Sequence, residues 1–182
     1  MSEPVSALNG AVSEGFARVA EIGPLGMITL RAKPGTARLA EAIKAANGCA
    51  LPDARRITHA GDNSCGWMSP DEYLLVLPYG DVAKALAAIA AALSGQHHLA
   101  VDVSDARAVF RVTGPNADQV LRKLSPADPG ALAADEIRRS RFAQVAAAFW
   151  PVDGGYTLVC FRSVAGYVMG LLTHSAQPGS EI

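Results

Sequence analysis

The sequence predicts an α+β fold in which one strand-helix-strand-strand-helix module occurs twice, the two copies related by a pseudo-twofold axis and packed as a single body. Three observations carry this. Short runs rich in Ile, Val, Leu and Thr alternate with alanine-rich stretches of helical period. GMITLRAKPG followed by a helical pattern is matched by RAVFRVTGPN followed by another. Trp67, the run Tyr73 to Pro78 and a helix opening at Asp81 are matched by Trp150, Tyr156 to Phe161 and a helix opening at Ser163, with an offset that grows only from about 81 to 83 residues. The expected division is an N-terminal arm over 1–18, modules over 19–97 and 98–176, and a flexible tail over 177–182. A sheet with apolar faces must bury them, so two such modules are expected to pack on each other.

Each element follows from local chemistry. The arm is polar and small, with scattered Val5, Leu8, Val12 and Phe16. Gly26 to Ala32 reads as a strand that Pro34-Gly35 ends. Thr36 is placed to cap a helix that carries Leu39 and Ile43 on one face and stops at Gly48. Arg55 to His59 reads as a short strand and Ala60 to Ser64 as a polar loop. Ser69-Pro70-Asp71-Glu72 is a turn by composition, because proline presets φ and the short polar side chains bond nearby backbone. Tyr73 to Leu77 is apolar at every position, as expected of a central strand covered on both faces. Asp81 is placed to cap a helix to about Leu93 with the stripe Val82, Leu86, Ile89, Leu93. Leu99 to Val103 and Arg107 to Thr113 are strands parted by the tight turn Ser104-Asp105-Ala106. Gly114-Pro115-Asn116 starts a helix, 125–136 is mostly loop, and Arg141 to Trp150 is a strand. Asp153-Gly154-Gly155 signals a hairpin. Tyr156 to Phe161 returns, and Ser163 is placed to cap a last helix bearing Val164, Tyr167, Val168, Leu171 and Leu172.

Composition bounds the function. Of 182 residues 50% are hydrophobic, enough for a sizeable core. Seventeen acidic residues against 16 basic give a net charge of -1, so no overall field favours nucleic acid or an anionic membrane. Charged residues make up 18% of the chain, below the usual figure of about 25%, which fits a surface partly covered by other chains. Three cysteines without a CxxC spacing fit a reducing compartment. MSEPVSALNG lacks a basic n-region and no run of apolar residues is long enough to span a bilayer, so a cytoplasmic protein is expected.

Chemistry-bearing residues are sparse. Asp102 and Asp105 in DVSDAR form a pair that acid-base work would need within a few ångströms, but Asp102 on the polar face of a strand and Asp105 shaping the turn after it, with Arg107 nearby as ion partner, account for both. The four histidines, His59, His97, His98 and His174, are not clustered with cysteines or carboxylates at metal-ligand spacing. Cys65 and His59 lie close in sequence, though nothing nearby would depress the thiol pKa. No GxGxxG or GxxxxGK[ST] cradle exists, and Gly114-Pro115-Asn116 reads as helix initiation rather than an anion site. Arg138, Arg139 and Arg141 form the one basic cluster, offset by Asp135 and Glu136. Trp67 and Trp150 read as matching core anchors. No catalytic, cofactor-binding or metal residue is assigned.

WMSPDEYLLVLP, then DVSDARAVFRVTGPNADQVLRKLSPAD, then FW followed by DGGYTLVCFRSVAGYVMGLL, resemble the sarcosine oxidase gamma subunit family from about Gly15 to His174. The resemblance implies a heterotetramer with alpha, beta and delta subunits that oxidatively demethylates sarcosine to glycine, with hydrogen peroxide and a one-carbon unit for tetrahydrofolate as the other products. It implies that FAD, covalent FMN and NAD reside on the larger subunits, that zinc resides on delta, and that this chain binds no cofactor. It also implies a fold similar to the folate-binding part of aminomethyltransferases, in which an aspartate at a strand end contacts folate. Asp102 is the nearest counterpart, and that role is not transferred to it. Free-standing folate binding and an adaptor role in another multisubunit oxidoreductase are the alternative readings.

Overall fold

A computed structural model describes residues 3–182. The strands are β1 (Val12–Ser13), β2 (Arg18–Ile22), β3 (Gly26–Ala32), β4 (Ile57–Ala60), β5 (Asn63–Ser69), β6 (Glu72–Leu77), β7 (His98–Asp102), β8 (Arg107–Thr113), β9 (Arg138–Phe142), β10 (Val145–Val152) and β11 (Gly155–Phe161). The helices are α1 (Leu39–Asn47), α2 (Val82–Ala92), α3 (Ala117–Arg122) and α4 (Ala165–Ser175). Leu25–Ser104 forms one continuous unit, and the described residues up to Pro24 join Asp105–Ile182 in a second, split unit.

The continuous unit is a five-stranded antiparallel sheet in the order β4-β5-β6-β3-β7. The helices α1 and α2 pack with it around Ile28, Leu30, Leu39, Ile43, Leu75 and Ile89. Every residue of β6 is buried: Tyr73, Leu75 and Leu77 belong to that core, while Leu74 and Val76 alternate onto the other face. The solid apolar run therefore marks a central strand, as its composition predicts. The split unit repeats the plan with six strands, β1-β2-β8-β11-β10-β9, packed with α3 and α4 around Phe110, Phe142, Phe149, Leu158, Val168 and Leu172.

Each copy holds one more strand between its helices than the sequence reading supplied. In the continuous unit the extra strand is β5, part of which reads as polar loop. In the split unit the expected strand Arg141–Trp150 is two strands, β9 and β10, folded back at Ala143-Gln144. Ala143 takes φ 50° there, and its N–H donates to the Leu124 carbonyl at 2.7 Å, so a tertiary hydrogen bond supports a turn that lacks Gly or Asn at the left-handed position.

The larger correction concerns module boundaries. The modules expected over 19–97 and 98–176 each open on a strand, β2 and β7, and in the structure each of these pairs away from its own repeat. β2 precedes β3 along the chain but hydrogen-bonds with β8, Val19 opposite Val112. β7 precedes β8 but hydrogen-bonds with β3, Ala100 opposite Leu30. The two sequence repeats thus exchange their first strands, and the unit boundaries fall after Pro24 and Ser104 instead of after residues 18 and 97.

The expected arm over 1–18 is, from residue 3 onward, part of the split unit. The buried Glu21 carboxylate, 4% exposed, accepts hydrogen bonds from the N–H groups of Leu8 and Gly10 and from Ser6 Oγ at 2.8–3.0 Å. Val12 and Ser13 then pair with Ala20 and Val19. The tail over 177–182 is also tied down. Lys123 Nζ donates to the carbonyls of Ser175 and Ser180, and the Ile182 N–H donates to Gln119 Oε1 at 2.8 Å. None of the three expected capping side chains makes the bond predicted for it. Thr36 donates to the Lys33 carbonyl in a turn three residues before α1 begins, Asp81 precedes α2 without a side-chain cap bond, and Ser163 lies inside a short 3-10 turn before α4.

The β10-β11 hairpin provides a test. A Cβ on Gly155 would lie 2.0 Å from the Val112 carbonyl oxygen, and neither backbone can yield. Gly155→Ala should lower unfolding free energy by about 3 kcal/mol in urea titration. Gly166→Ala, in open space on α4, should leave it unchanged or raise it by up to about 1 kcal/mol.

Candidate functional site

The structure disperses the residues that chemistry would need together. Asp102 ends β7, and its Oδ1 accepts from the Ser104 N–H at 2.9 Å and from Ser104 Oγ at 2.5 Å. Ser104 Oγ in turn accepts the Met27 N–H at 2.9 Å, which fastens the end of β7 to the start of β3. The carboxylate is thus a turn-former, a role the sequence suggests for Asp105 rather than for Asp102. Asp105 follows in the short 3-10 turn, beyond the unit boundary, and the two aspartates are not gathered into a shared site within either unit.

His59 is exposed on β4, His174 is exposed on α4, and His98 Nδ1 lies 3.0 Å from the Gln96 carbonyl oxygen. Among the described residues no group of three His, Cys, Asp or Glu side chains is arranged to hold a metal ion, so the residues present do not fit zinc. Cys65 is buried opposite Thr58 and inside the helix-facing core, whereas His59 is exposed to solvent, so they form no nucleophile-base pair. Burial raises the Cys65 thiol pKa strongly, with neighbouring Cys49 adding to the effect, and burial pushes the Cys160 thiol up to about 12. Neither supplies a thiolate near neutral pH.

The basic cluster is the edge strand β9. Arg138 pairs with Glu136 at 2.6 Å, and Arg139 and Arg141 are exposed. Charge on an edge strand discourages further strand pairing, which gives this cluster a structural reading. Asn116 precedes α3 without a side-chain cap bond, and α3 is only six residues long.

The two tryptophans are not structural equivalents. Trp67 is half-buried opposite Tyr73, against the helix-facing core, whereas Trp150 is 5% exposed opposite Thr157 and outside that core in its own unit. The residue opposite Tyr156, the counterpart of Tyr73, is Pro151. A one-residue slip between β5 and β10 has put the indoles on opposite faces of their sheets.

Two open depressions, of about 440 and 430 Å³, lie on the continuous unit. The first sits between α1 and α2 and is walled largely by alanines, with Asn47, Asp81 and Lys84. The second lies beside β7 and includes Lys33, His97 and His98. There Arg31 pairs with Asp71 at 3.5 Å and with Glu72 at 2.9 Å, so these charges already satisfy one another. Sequence reading missed Glu21, whose three donors come from the arm and leave no signal in the local sequence. It also missed the polar pair that faces across β8 and β11, Arg111 and Thr157, whose Nε and Oγ1 are buried without hydrogen-bond partners among the described residues.

Two antiparallel sheets with exchanged strands and their helices define a fold class shared with the aminomethyltransferases. The glycine cleavage system aminomethyltransferase T from Bartonella henselae superposes with a TM-score of 0.64 over 87% of this chain and 45% of that one, at 12% identity. A chain of heterotetrameric sarcosine oxidase from Corynebacterium sp. U-96, solved with pyrrole 2-carboxylate, gives a TM-score of 0.80 over 91% of this chain and 87% of that one, at 24% identity. The model of the sarcosine oxidase, gamma subunit family matches residues 31–177, and the chain belongs to that family. Sarcosine oxidase subunit gamma of an Arthrobacter species is 33% identical over 71% of this chain, and that of Corynebacterium sp. strain P-1 is 34% identical over 63%. The matched stretches span 64% and 56% of the length of those relatives.

Burial makes two expectations measurable. Cys65 and Cys160 should not react with an aromatic disulfide reagent at pH 8 until the chain unfolds. Their folded-state pKa values are raised above the ordinary 9.0, so their contribution to stability is complete below pH 9. It is then lost as pH rises towards 12, a decline that Cys160→Ala should reduce in denaturant titrations. Trp150→Ala should cost about 3–5 kcal/mol and half-buried Trp67→Ala about 1–2 kcal/mol, the order emerging from paired melts.

Proposed function

We propose that this chain is the gamma subunit of a heterotetrameric sarcosine oxidase and that it contributes framework to the assembly rather than reacting groups. The observation that carries this reading is the family match over residues 31–177. The dispersal of carboxylates, histidines and buried thiols described above supports it. The partners are the alpha, beta and delta subunits. The complex oxidatively demethylates sarcosine to glycine, yields hydrogen peroxide, and hands the one-carbon unit to tetrahydrofolate. FAD, FMN and NAD belong to the larger subunits and zinc to delta. The cytoplasm is the compartment proposed, because it keeps cysteines such as the three buried free thiols here reduced. Among the described residues no helix is long and apolar enough to cross a membrane.

Assembly tests this directly. Co-expressed with the alpha, beta and delta chains, the protein should appear in one stoichiometric complex by native mass spectrometry, and that complex should release peroxide from sarcosine. Alone, the chain should release none, and calorimetry against tetrahydrofolate should show no binding heat. A chain that stays apart from the other three, or that binds the folate by itself, would favour the free-standing folate-binding reading.

A further inference from the structure

Of the strands that end the two sheets, three carry protection against further pairing. β1 is two residues long, β4 is four residues long and follows Arg55-Arg56, and β9 carries Arg138, Arg139 and Arg141. Natural sheets protect their edges by such shortness and charge. The fourth, β7, has neither Lys, Arg nor Pro, and it exposes Leu99 at 54% and Val101 at 41%. Its backbone is ready to pair. The Val103 N–H donates to the Met27 carbonyl at 2.8 Å, so antiparallel alternation turns the backbone groups of Leu99 and Val101 towards β3. Those of His98, Ala100 and Asp102 then point outward, away from β3.

The split unit indicates what such an edge receives. There β2 holds the place that β7 holds in the continuous unit, lying beside β8 as β7 lies beside β3. The outer edge of β2 is covered by an extended segment: Val12 and Ser13 pair with it, and the Glu21 N–H donates to the Ala11 carbonyl at 2.8 Å. One sheet is thereby completed to six strands while the other stops at five. The neighbouring helix α2 exposes Ala83, Ala87, Ala90 and Ala91, small side chains that let another backbone approach closely.

From this unequal treatment of equivalent edges we infer that β7 is a docking edge for an extended segment of another subunit of the oxidase, which adds to the continuous unit as its sixth strand. The inference rests on the assembly proposed above. The incoming segment bonds to the outward N–H and C=O groups of His98, Ala100 and Asp102, and it sets alternate apolar side chains beside Leu99 and Val101. Main-chain bonds supply attraction and the two exposed side chains fix register.

The test uses the full chain co-expressed with the alpha, beta and delta subunits. Ala100→Pro removes an outward N–H while sparing the ladder to β3, and a Leu99→Lys, Val101→Lys double variant changes only exposed side chains. Each should reduce capture of the chain by the other subunits about tenfold or more, as expected when strand addition is blocked. Amide exchange at Ala100 and Asp102 should be fast in the free chain and slowed in the complex. If the proline variant fails to fold, the lysine variant decides. Assembly of the folded variants at the parental level, unchanged exchange at Ala100 and Asp102, or a parental homodimer that the lysine variant abolishes would each overturn the docking edge. Failure of the parent itself to join the complex would instead overturn the assembly reading, and the docking edge with it.

Discussion

Everything in this fold depends on a constraint of antiparallel pairing, namely that neither β3 nor β8 obtains its outer neighbour from its own repeat. β3 takes β7 and β8 takes β2, so each sheet takes in the first strand of the other repeat. The hydrogen bonds at stake run along β3 and β8, where apolar residues such as Ile28, Leu30, Val109 and Phe110 are buried. An unpaired backbone there would place donors and acceptors beside closely packed side chains, at a cost of a few kcal/mol for each group. The exchange makes the six-stranded sheet depend on both ends of the chain, because β1 and β2 must meet the later strands β8 to β11.

Most of the striking polar chemistry serves this arrangement. Asp102 and Ser104 fasten the end of β7, the Glu21 carboxylate collects the arm, and Lys123 gathers the carbonyls at the C-terminal end. A buried or half-buried charge whose hydrogen bonds are satisfied within the chain holds the shape around it. Membership of the sarcosine oxidase gamma subunit family fits a chain whose polar side chains are spent on shape in this way.

Local sequence revealed local geometry and stopped where tertiary contacts decide. GMITLRA and RAVFRVT are strands over the very residues that composition marks, and Gly48 ends α1 in the left-handed conformation with its N–H on the Lys44 carbonyl. The repeat itself is legible because each copy supplies the same order of elements. Strand exchange is not, since alternation says which residues extend and nothing about which strand lies alongside. The Ala143 turn is invisible for a related reason: its support comes from the Leu124 carbonyl, many positions away. The matched tryptophans misled because a sequence offset ignores register, and the bulge between Trp67 and Ser69 shows how locally register is set. At the candidate site, the place of Asp102 on a strand was readable from its neighbours, while its bonds to Ser104 and the anchoring role of Glu21 were not.

The continuous unit lies within the split one as an insertion, and that has a consequence for the order of events during synthesis. β2 leaves the ribosome early, yet its partner β8 emerges only after the whole of Leu25–Ser104 has done so. Because chains acquire structure as they are made, the inserted unit is free to close first while β2 waits as an open strand. During that interval a neighbouring nascent chain can offer β2 a substitute for β8. The duplicated plan thus carries a window of vulnerability to intermolecular strand swapping, one that closes when the second half of the polypeptide arrives.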